Sequence, residues 1–161
     1  MRRENNIKLL ILNAVLLGRE ARRGMSSLAV AIGGFLGALA RFGVGQWFAG
    51  SGQLAGFPWG TLVINLVGCF IMSLFLTITI DLLVINPLLR LGFSTGFLGA
   101  FTTFSTFSLD MIQLVEARQF WYAGLYLFAS VVLCIAMSAF GLLVARGFEQ
   151  YRVRLSDRGT E

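Results

Sequence analysis

Residues 96–108 read GFLGAFTTFSTFS, and this stretch lies inside an uncharged run that extends from residue 91 to residue 109. Five of the seven residues from Thr102 to Ser108 carry a hydroxyl group, in what would otherwise be an apolar segment. Because glycine and β-branched threonine weaken a helix, the pattern predicts a break near Gly99–Thr102. Irregular backbone inside a membrane persists only where protein or an ion satisfies its polar groups, so this stretch marks a specialised site.

Three further apolar runs accompany this one and set the fold class. Runs 59–80 and 120–145 contain no charged residue, and run 26–48 contains only Arg41. At a rise of about 1.5 Å per residue, each of the four runs reaches roughly the 30 Å thickness of a bilayer's hydrocarbon core. The linkers between them are too short to form an extramembrane domain. The sequence therefore predicts an all-α membrane protein with four transmembrane helices, the third broken at its centre.

The composition agrees with a membrane protein and excludes several other classes. Hydrophobic residues make up 57% of the 161 residues and charged residues only 13%, which excludes an ordinary soluble domain. The 15 Phe and 3 Trp exclude a disordered chain. The absence of histidine excludes imidazole catalysis and histidine-ligated metals. Cys69 and Cys134 lie in apolar runs without a CxxC spacing, and we interpret them as small buried apolar side chains.

The two ends of the chain differ from the middle. We interpret residues 1–25 as a basic and apolar leader, or as an extension that precedes a true initiator at Met25. Residues 26–145 form the transmembrane domain, and residues 146–161 form a basic, polar C-terminal tail. The net charge of +5 comes mostly from these ends, which favours membrane lipid over nucleic acid as a partner. The excess of Lys and Arg at the ends predicts that both termini lie inside.

Small and charged residues inside the first run need an explanation, because a membrane helix requires neither. Gly33 and Gly37 form a GxxxG spacing, which favours close packing against a neighbouring helix over any direct role. Arg41 is different, because a guanidinium group is costly in lipid. It either extends to the membrane interface or lies in a water-filled vestibule.

The second and fourth runs carry polar side chains with a clear spacing. Asn65 lies about one turn inside the second run, and a buried amide requires hydrogen-bond partners. It either joins two helices, which the residue alone favours, or offers its N–H donors to a permeant ion. In the fourth run, Tyr126 and Ser130 are four residues apart and therefore share one helical face.

The hydroxyl-rich stretch has two distinct faces when it is drawn as a helix. Phe104 and Phe107 lie about 60° apart on one face, at the α-helical periodicity of 3.6 residues per turn. Thr102, Ser105 and Thr106 cluster on the opposite face. A row of hydroxyl groups beside a pair of aromatic rings favours a permeation pathway over a packing motif.

This third run resembles the signature of a known family. The segment from Gly99 to Ser108, GAFTTFSTFS, resembles the signature of the Fluc fluoride channels, also called the CrcB family. Supporting matches are GALAR at 37–41 and GTLVINLVG at 60–68. The resemblance covers residues 26–145 and includes the number and spacing of the runs, whereas the leader and the tail lie outside it.

The resemblance implies a fluoride-selective channel, and not an enzyme, which exports cytoplasmic fluoride by passive electrodiffusion across a prokaryotic inner membrane. It implies an antiparallel, dual-topology homodimer with a structural Na⁺ at its centre, held by the backbone carbonyls of Gly99 and Thr102. Arg41 matches the family's vestibule arginine. The residues implied to line the ion pathway are Asn65, Phe104, Ser105, Thr106 and Phe107, to which a looser match adds Tyr126 and Ser130.

The charge bias conflicts with dual topology, because assembly from opposed copies of one chain requires insertion in both orientations. Either dual insertion tolerates this bias, which we favour, or the chain pairs with an oppositely oriented homologue.

Two other classes remain open on the sequence alone. A proton-coupled exporter of cationic drugs has four helices and a similar size, but it normally requires a membrane-embedded carboxylate. None of the four runs contains Asp or Glu. A non-transporting membrane scaffold accounts for the GxxxG spacing but not for the hydroxyl-rich third run.

Overall fold

The computed structural model describes residues 2–50, 56–82 and 85–158, and it describes side chains at 23–48, 56–81 and 85–150. All regular structure in these ranges is helical, so the prediction of an all-α protein is confirmed. The helices are α1 (Arg2–Gly50), α2 (Trp59–Thr77), α3 (Pro87–Leu91), α4 (Gly99–Phe101), α5 (Phe104–Glu116) and α6 (Phe120–Arg158). Two π-helical segments, Ile78–Leu82 and Gly92–Leu98, follow α2 and α3.

Three of these helices are suited to cross a membrane. Within the described residues, Arg23–Phe48, Trp59–Asp81 and Phe120–Gln150 are long and apolar enough to do so. The remaining apolar run, 91–109, is divided among α3, the second π-helical segment, α4 and α5. Because no single regular helix covers that run, it is not counted among the three long apolar helices.

The helical path of the third run is interrupted after Phe101. Thr102 and Thr103 have extended backbone, with ψ angles of 151° and 122°, and α5 begins at Phe104. Gly99 is still helical, so the interruption lies at the C-terminal edge of the predicted interval. The hydroxyl group of Thr103 accepts a hydrogen bond from the Thr106 N–H at 3.1 Å and caps α5. This local cap favours the start of a new helix at Phe104.

The structure corrects the prediction that Thr102 lies on the same helical face as the other hydroxyl-bearing residues. Thr102 precedes α5 and is extended, so it does not share a helical face with Ser105 and Thr106. The prediction of a shared face was wrong because it assumed one continuous helix through a position where the backbone changes conformation.

Helix α1 packs closely against the third run through glycines. A Cβ atom added to Gly33 or Gly37 would overlap the backbone carbonyl groups of Gly92 or Phe97. Gly96 faces α1 from the other side and would collide with the backbone around Val30. The close packing predicted from the GxxxG spacing is therefore confirmed, and it fixes the third run against α1.

Helices α2 and α6 run parallel with a constant offset. The rings of Phe57 and Tyr122 lie 6.2 Å apart, and Ser73 Oγ donates to the Ser138 carbonyl at 2.6 Å. The two residues of each pair are 65 positions apart in the sequence, and the two pairs lie at different levels along the helices. Gly141 allows this approach, because a Cβ there would collide with the backbone of α2. The shared core near the start of both helices contains Phe57, Leu62, Leu114, Ala123 and Tyr126.

The two ends of the chain continue the membrane-crossing helices. The backbone of α1 is helical from Arg2, and that of α6 is helical to Arg158. The interpretations of residues 1–25 as a leader and of 146–161 as a tail depend largely on side chains at 1–22 and 151–161. Those side chains lie outside the described residues, and both interpretations stay predictions.

Candidate functional site

Asn65 on α2 bridges the interruption of the third run. Its Nδ2 donates to the Thr103 carbonyl at 3.1 Å, and its Oδ1 accepts from the Thr103 N–H at 2.9 Å. Backbone groups without partners are costly inside a membrane, so this amide stabilises the extended residues. Asn65 therefore joins two helices. The amide has a second N–H that these two bonds do not use.

The hydroxyl groups after the interruption converge on Thr103. Its Oγ1 lies 3.1 Å from Ser105 Oγ and 3.0 Å from Thr106 Oγ1, and it also caps the Thr106 N–H. Ser105 is exposed and Thr106 is partly buried. Their hydroxyl groups thus form a cluster at the start of α5 in place of a straight row.

The same contacts change the hydrogen bonding of two carbonyl groups. In a continuous helix the Gly99 carbonyl would accept from the Thr103 N–H, and the Thr102 carbonyl would accept from the Thr106 N–H. Here the Thr103 N–H donates to Asn65 and the Thr106 N–H donates to the Thr103 hydroxyl. The carbonyl groups of Gly99 and Thr102 are thereby released from these helical bonds, and Gly99 is exposed.

A groove of about 460 Å³ lies between α2, α6 and the interruption, and we call it the α2–α6 groove. Residues spaced four positions apart along α2 line one wall, and residues with the same spacing along α6 line the other. The offset of 65 residues between the two helices places the residues of the two walls at matching levels. At about 1.5 Å per residue, the three pairs cover roughly 12 Å along the helices. The offset places Asn65 level with Ser130, Cys69 level with Cys134, and Ser73 level with Ser138, and a hydrogen bond joins the last pair.

The third wall of the groove comes from the interruption and the start of α5. Thr102, Thr103, Phe104 and Phe107 line it, and the two rings lie 5.6 Å apart. Phe104 is 80% exposed, so its ring makes little contact within the protomer. The ring of Phe107 instead lies 5.1 Å from that of Tyr126 and is anchored by the core.

Ser130 contributes an unusual polar atom to the groove. Its residue is only 8% exposed, and its Oγ is buried with no hydrogen-bond partner among the described residues. Buried hydroxyl groups are normally paired, because an unsatisfied one costs about 1–3 kcal/mol. Ser130 therefore places a buried, unpaired hydroxyl group at the wall of the groove.

Tyr126, predicted for the ion pathway, and Arg41, predicted for the vestibule, do not line the α2–α6 groove. Tyr126 is fully buried, and its hydroxyl group donates to Asp110 Oδ2 at 3.1 Å, so it supports Phe107 from behind and does not line the groove. Arg41 is partly buried on α1 and is also absent from the groove lining. Asn65, Phe104, Phe107 and Ser130 are brought together as lining residues.

Several groove residues were missed by sequence reasoning. Thr103 carries the usual signal of an N-cap, a threonine directly before a helix. The paired residues Cys69, Ser73, Cys134 and Ser138 recur at a spacing of four from Asn65 and Ser130. That spacing places each set on one helical face and could have identified both walls.

The three long apolar helices, the interrupted run and the polar groove define a multi-pass integral membrane protein. The family model described as "CrcB-like protein, Camphor Resistance (CrcB)" matches residues 28–142. The chain is 46% identical over 124 residues to a protein of Rhizobium leguminosarum bv. trifolii named "Fluoride-specific ion channel FluC", covering 76% of this chain and 97% of that protein. This chain belongs to the CrcB family.

Relatives from distant bacteria show similar coverage. A protein of Geobacter sulfurreducens is 41% identical over 120 residues, with 74% of this chain and 95% of that protein covered. A protein of Oceanobacillus iheyensis is 40% identical over 118 residues, with 73% of this chain and 89% of that protein covered. Both carry the name "Fluoride-specific ion channel FluC". The family model covers residues 28–142 and does not extend to the residues on either side.

Proposed function

We propose that this protein is a fluoride-selective channel through which cytoplasmic fluoride leaves the cell passively, so that its concentration and toxicity fall. The observation that carries this function is a groove lined by the Asn65 amide, two phenylalanine rings and Ser130, whose hydroxyl group has no partner within the described part of the chain. Membership of a family whose similar proteins are named fluoride-specific ion channels supplies the identity of the ion.

The chemistry of the groove suits a small, hard anion. Fluoride leaves water only where hydrogen-bond donors replace its hydration shell, and the Ser130 hydroxyl and the second N–H of Asn65 are such donors. Neutral donors bind less tightly than a buried Lys or Arg, so the ion can leave again. The rings of Phe104 and Phe107 have electropositive edges that can face an anion. Conduction of this kind is transport and not catalysis.

The lining argues against the proton-coupled alternative. The described residues that line the α2–α6 groove include no Asp or Glu. A proton-coupled exporter of cations needs an ionisable carboxylate in its binding site, because proton and substrate compete for it. Asp110, at the end of the third run, is engaged with the Tyr126 hydroxyl group and lies outside the groove.

The remaining pathway residues are assigned within the same proposal. Ser105 and Thr106 keep their hydroxyl cluster on Thr103, next to the exposed ring of Phe104, and they offer further donors to an ion or to a partner protomer. Tyr126 positions the Phe107 ring. Arg41 lies in a water-filled vestibule that attracts anions towards the groove.

Replacing Ser130 by alanine tests the pathway directly. We expect fluoride efflux from proteoliposomes to fall several-fold but less than tenfold, because water or neighbouring donors replace one hydroxyl group in part. The free energy of unfolding should equal that of the parent or rise by up to about 1–3 kcal/mol, because alanine removes a buried hydroxyl group that has no partner among the described residues. Ser108→Ala is the matched control, since Ser108 Oγ donates to the Phe104 carbonyl outside the groove. Equal efflux by Ser130→Ala and parent would remove Ser130 from the pathway.

The proposed assembly is an antiparallel, dual-topology homodimer in membrane lipid. Support comes from the protomer surface, where Phe104 and Gly99 are exposed although they belong to the candidate site. A second copy would cover these groups and complete the pathway.

Topology is measured with a cysteine introduced at the C-terminus. In whole cells we expect labelling by a membrane-impermeant reagent at about half of the sites, with the remainder reacting only after permeabilisation. The parent, with Cys69 and Cys134, gives the background. Labelling from one side only, in cells without a homologue, contradicts dual topology.

A structural Na⁺ at the dimer centre belongs to the same proposal, and the donors present fit it. The carbonyl groups of Gly99 and Thr102 are released from helical bonding, and carbonyl oxygens are suitable ligands for a hard cation. Two such carbonyls from each of two chains would surround the ion. When bound, Na⁺ supplies a fixed positive charge near the anion pathway.

The Na⁺ site is tested by replacing Gly99 with leucine. We expect weaker dimerisation and loss of the dependence of thermal stability on Na⁺, because bulk at Gly99 disturbs the released carbonyls. The control is Gly124→Leu, since no atom lies within 4 Å of a Cβ at Gly124. A parent protein whose stability and flux are unchanged after prolonged dialysis against Na⁺-free buffer has no such site.

A further inference from the structure

Cys69 and Cys134 face each other across the α2–α6 groove. They lie on neighbouring helices, both are partly exposed, and neither is in a disulfide. Both side chains line this groove and are 65 residues apart, the same offset that joins Ser73 to Ser138 by a hydrogen bond. The constant offset of α2 and α6 brings them to the same level, as it does Ser73 and Ser138. They are therefore a pair of adjacent thiols in an accessible groove, and not isolated packing residues.

We infer that this pair is a binding site for a thiophilic cation of low coordination number, such as Hg²⁺, Ag⁺ or Cu⁺. Soft metals prefer sulfur ligands over the hydroxyl and amide groups that line the rest of the groove. Within the residues whose side chains are described, no group of three or more His, Cys, Asp or Glu could hold a metal. Two thiolates alone suit a metal that accepts two ligands in a line, whereas Zn²⁺ requires about four.

The binding step is a ligand exchange without oxidation. Each thiol releases one proton to water, and the two thiolate sulfurs bind the metal and keep their oxidation state. The chelate is favoured because the second thiol is already in place, at an effective concentration of roughly millimolar or above.

Occupancy of this site closes the groove. The thiol pair lies about one helical turn from the pair Asn65 and Ser130 and one turn from the pair Ser73 and Ser138. A heavy cation fixed between Cys69 and Cys134 therefore fills the middle of the groove. This consequence rests on the proposed function, because it assumes that fluoride travels along the groove. It makes the channel sensitive to soft metals.

The site is tested by titrating purified, reduced protein with HgCl₂ in the presence of about ten equivalents of glutathione, enough to take Hg²⁺ from a single thiol but not from a chelating pair, and removing the glutathione by gel filtration before the thiols are counted. Remaining thiols are counted with a chromogenic thiol reagent, and fluoride efflux is measured on the same samples in proteoliposomes. We expect one Hg²⁺ per protomer to remove both thiols and to reduce efflux at least tenfold, with recovery after excess dithiothreitol. The single-thiol variants Cys69→Ser and Cys134→Ser should lose Hg²⁺ to glutathione, so each should keep at least half of its own untreated efflux.

The two measurements separate the possible failures. If one equivalent leaves a free thiol in the parent protein, the two sulfurs do not form one site and the inference is wrong. If both thiols are bound while efflux is unchanged, the metal does not close the pathway and that part is overturned. If untreated protein passes no fluoride, the proposed function fails, while the thiol count still decides whether the metal site exists.

Discussion

Replacing Phe104 by isoleucine is expected to reduce fluoride efflux by about two- to tenfold and to leave the protein folded. The ring is 80% exposed within the protomer and lines the groove, so isoleucine retains most of the bulk but loses the electropositive ring edge. An aromatic contact contributes about 0.5–1.5 kcal/mol beyond its buried area, and about 1.4 kcal/mol corresponds to a factor of ten. Efflux from proteoliposomes, normalised to dimer content, measures the effect.

The same change at Phe107 is expected to reduce efflux equally and also to destabilise the protein. Its ring lies 5.1 Å from Tyr126 and packs against the core, so isoleucine loses this contact as well. The matched control is Phe128→Ile, because Phe128 is 67% exposed on α6 and lies outside the groove. If both groove variants conduct like the parent, the rings only pack, and the assignment of the pathway is wrong.

Replacing Gly37 by alanine is expected to lower the free energy of unfolding by about 1–3 kcal/mol, as overpacking does in tightly packed interiors. The added Cβ would overlap the Phe97 carbonyl, which is backbone and cannot rotate away. Helix α1 must then move away from the third run, the segment that contains the interruption. Unfolding of purified protein in a detergent titration, followed by circular dichroism, measures the change.

Gly45→Ala is the matched control on the same helix. No atom lies within 4 Å of a Cβ at Gly45, and alanine favours a helix over glycine by up to about 1 kcal/mol. The control should therefore be as stable as the parent or slightly more so. Equal stability of the Gly37 and Gly45 variants would mean that the α1 contact is not as close as the structure has it.

The features that the sequence predicted are those with a local signal. Long uncharged runs predict membrane helices because hydrocarbon thickness sets their length, and the GxxxG spacing of Gly33 and Gly37 predicts close packing because small residues admit a neighbour. Asn65 was correctly identified as a residue that needs partners, since a buried amide is costly without them.

The features that the sequence did not predict depend on contacts between distant residues. The position of the interruption is set jointly by the Thr103 cap and by Asn65, which lies 38 residues away. The pairing of Cys69 with Cys134 follows from the register of α2 against α6, which the periodicity of either run alone does not contain. The burial of Tyr126 between Phe57 and Phe107 also depends on distant contacts, which its shared helical face with Ser130 does not reveal.

Fluoride efflux from proteoliposomes of purified protein measures whether this chain conducts fluoride passively and selectively. Liposomes are loaded with equal concentrations of fluoride and chloride, and efflux is started with a potassium ionophore so that anion movement is electrically compensated. The proposal predicts rapid release of fluoride, little release of chloride, and no dependence on an imposed proton gradient. Equal release of both anions, release that requires a proton gradient, or no release from a dimer that remains folded would contradict it.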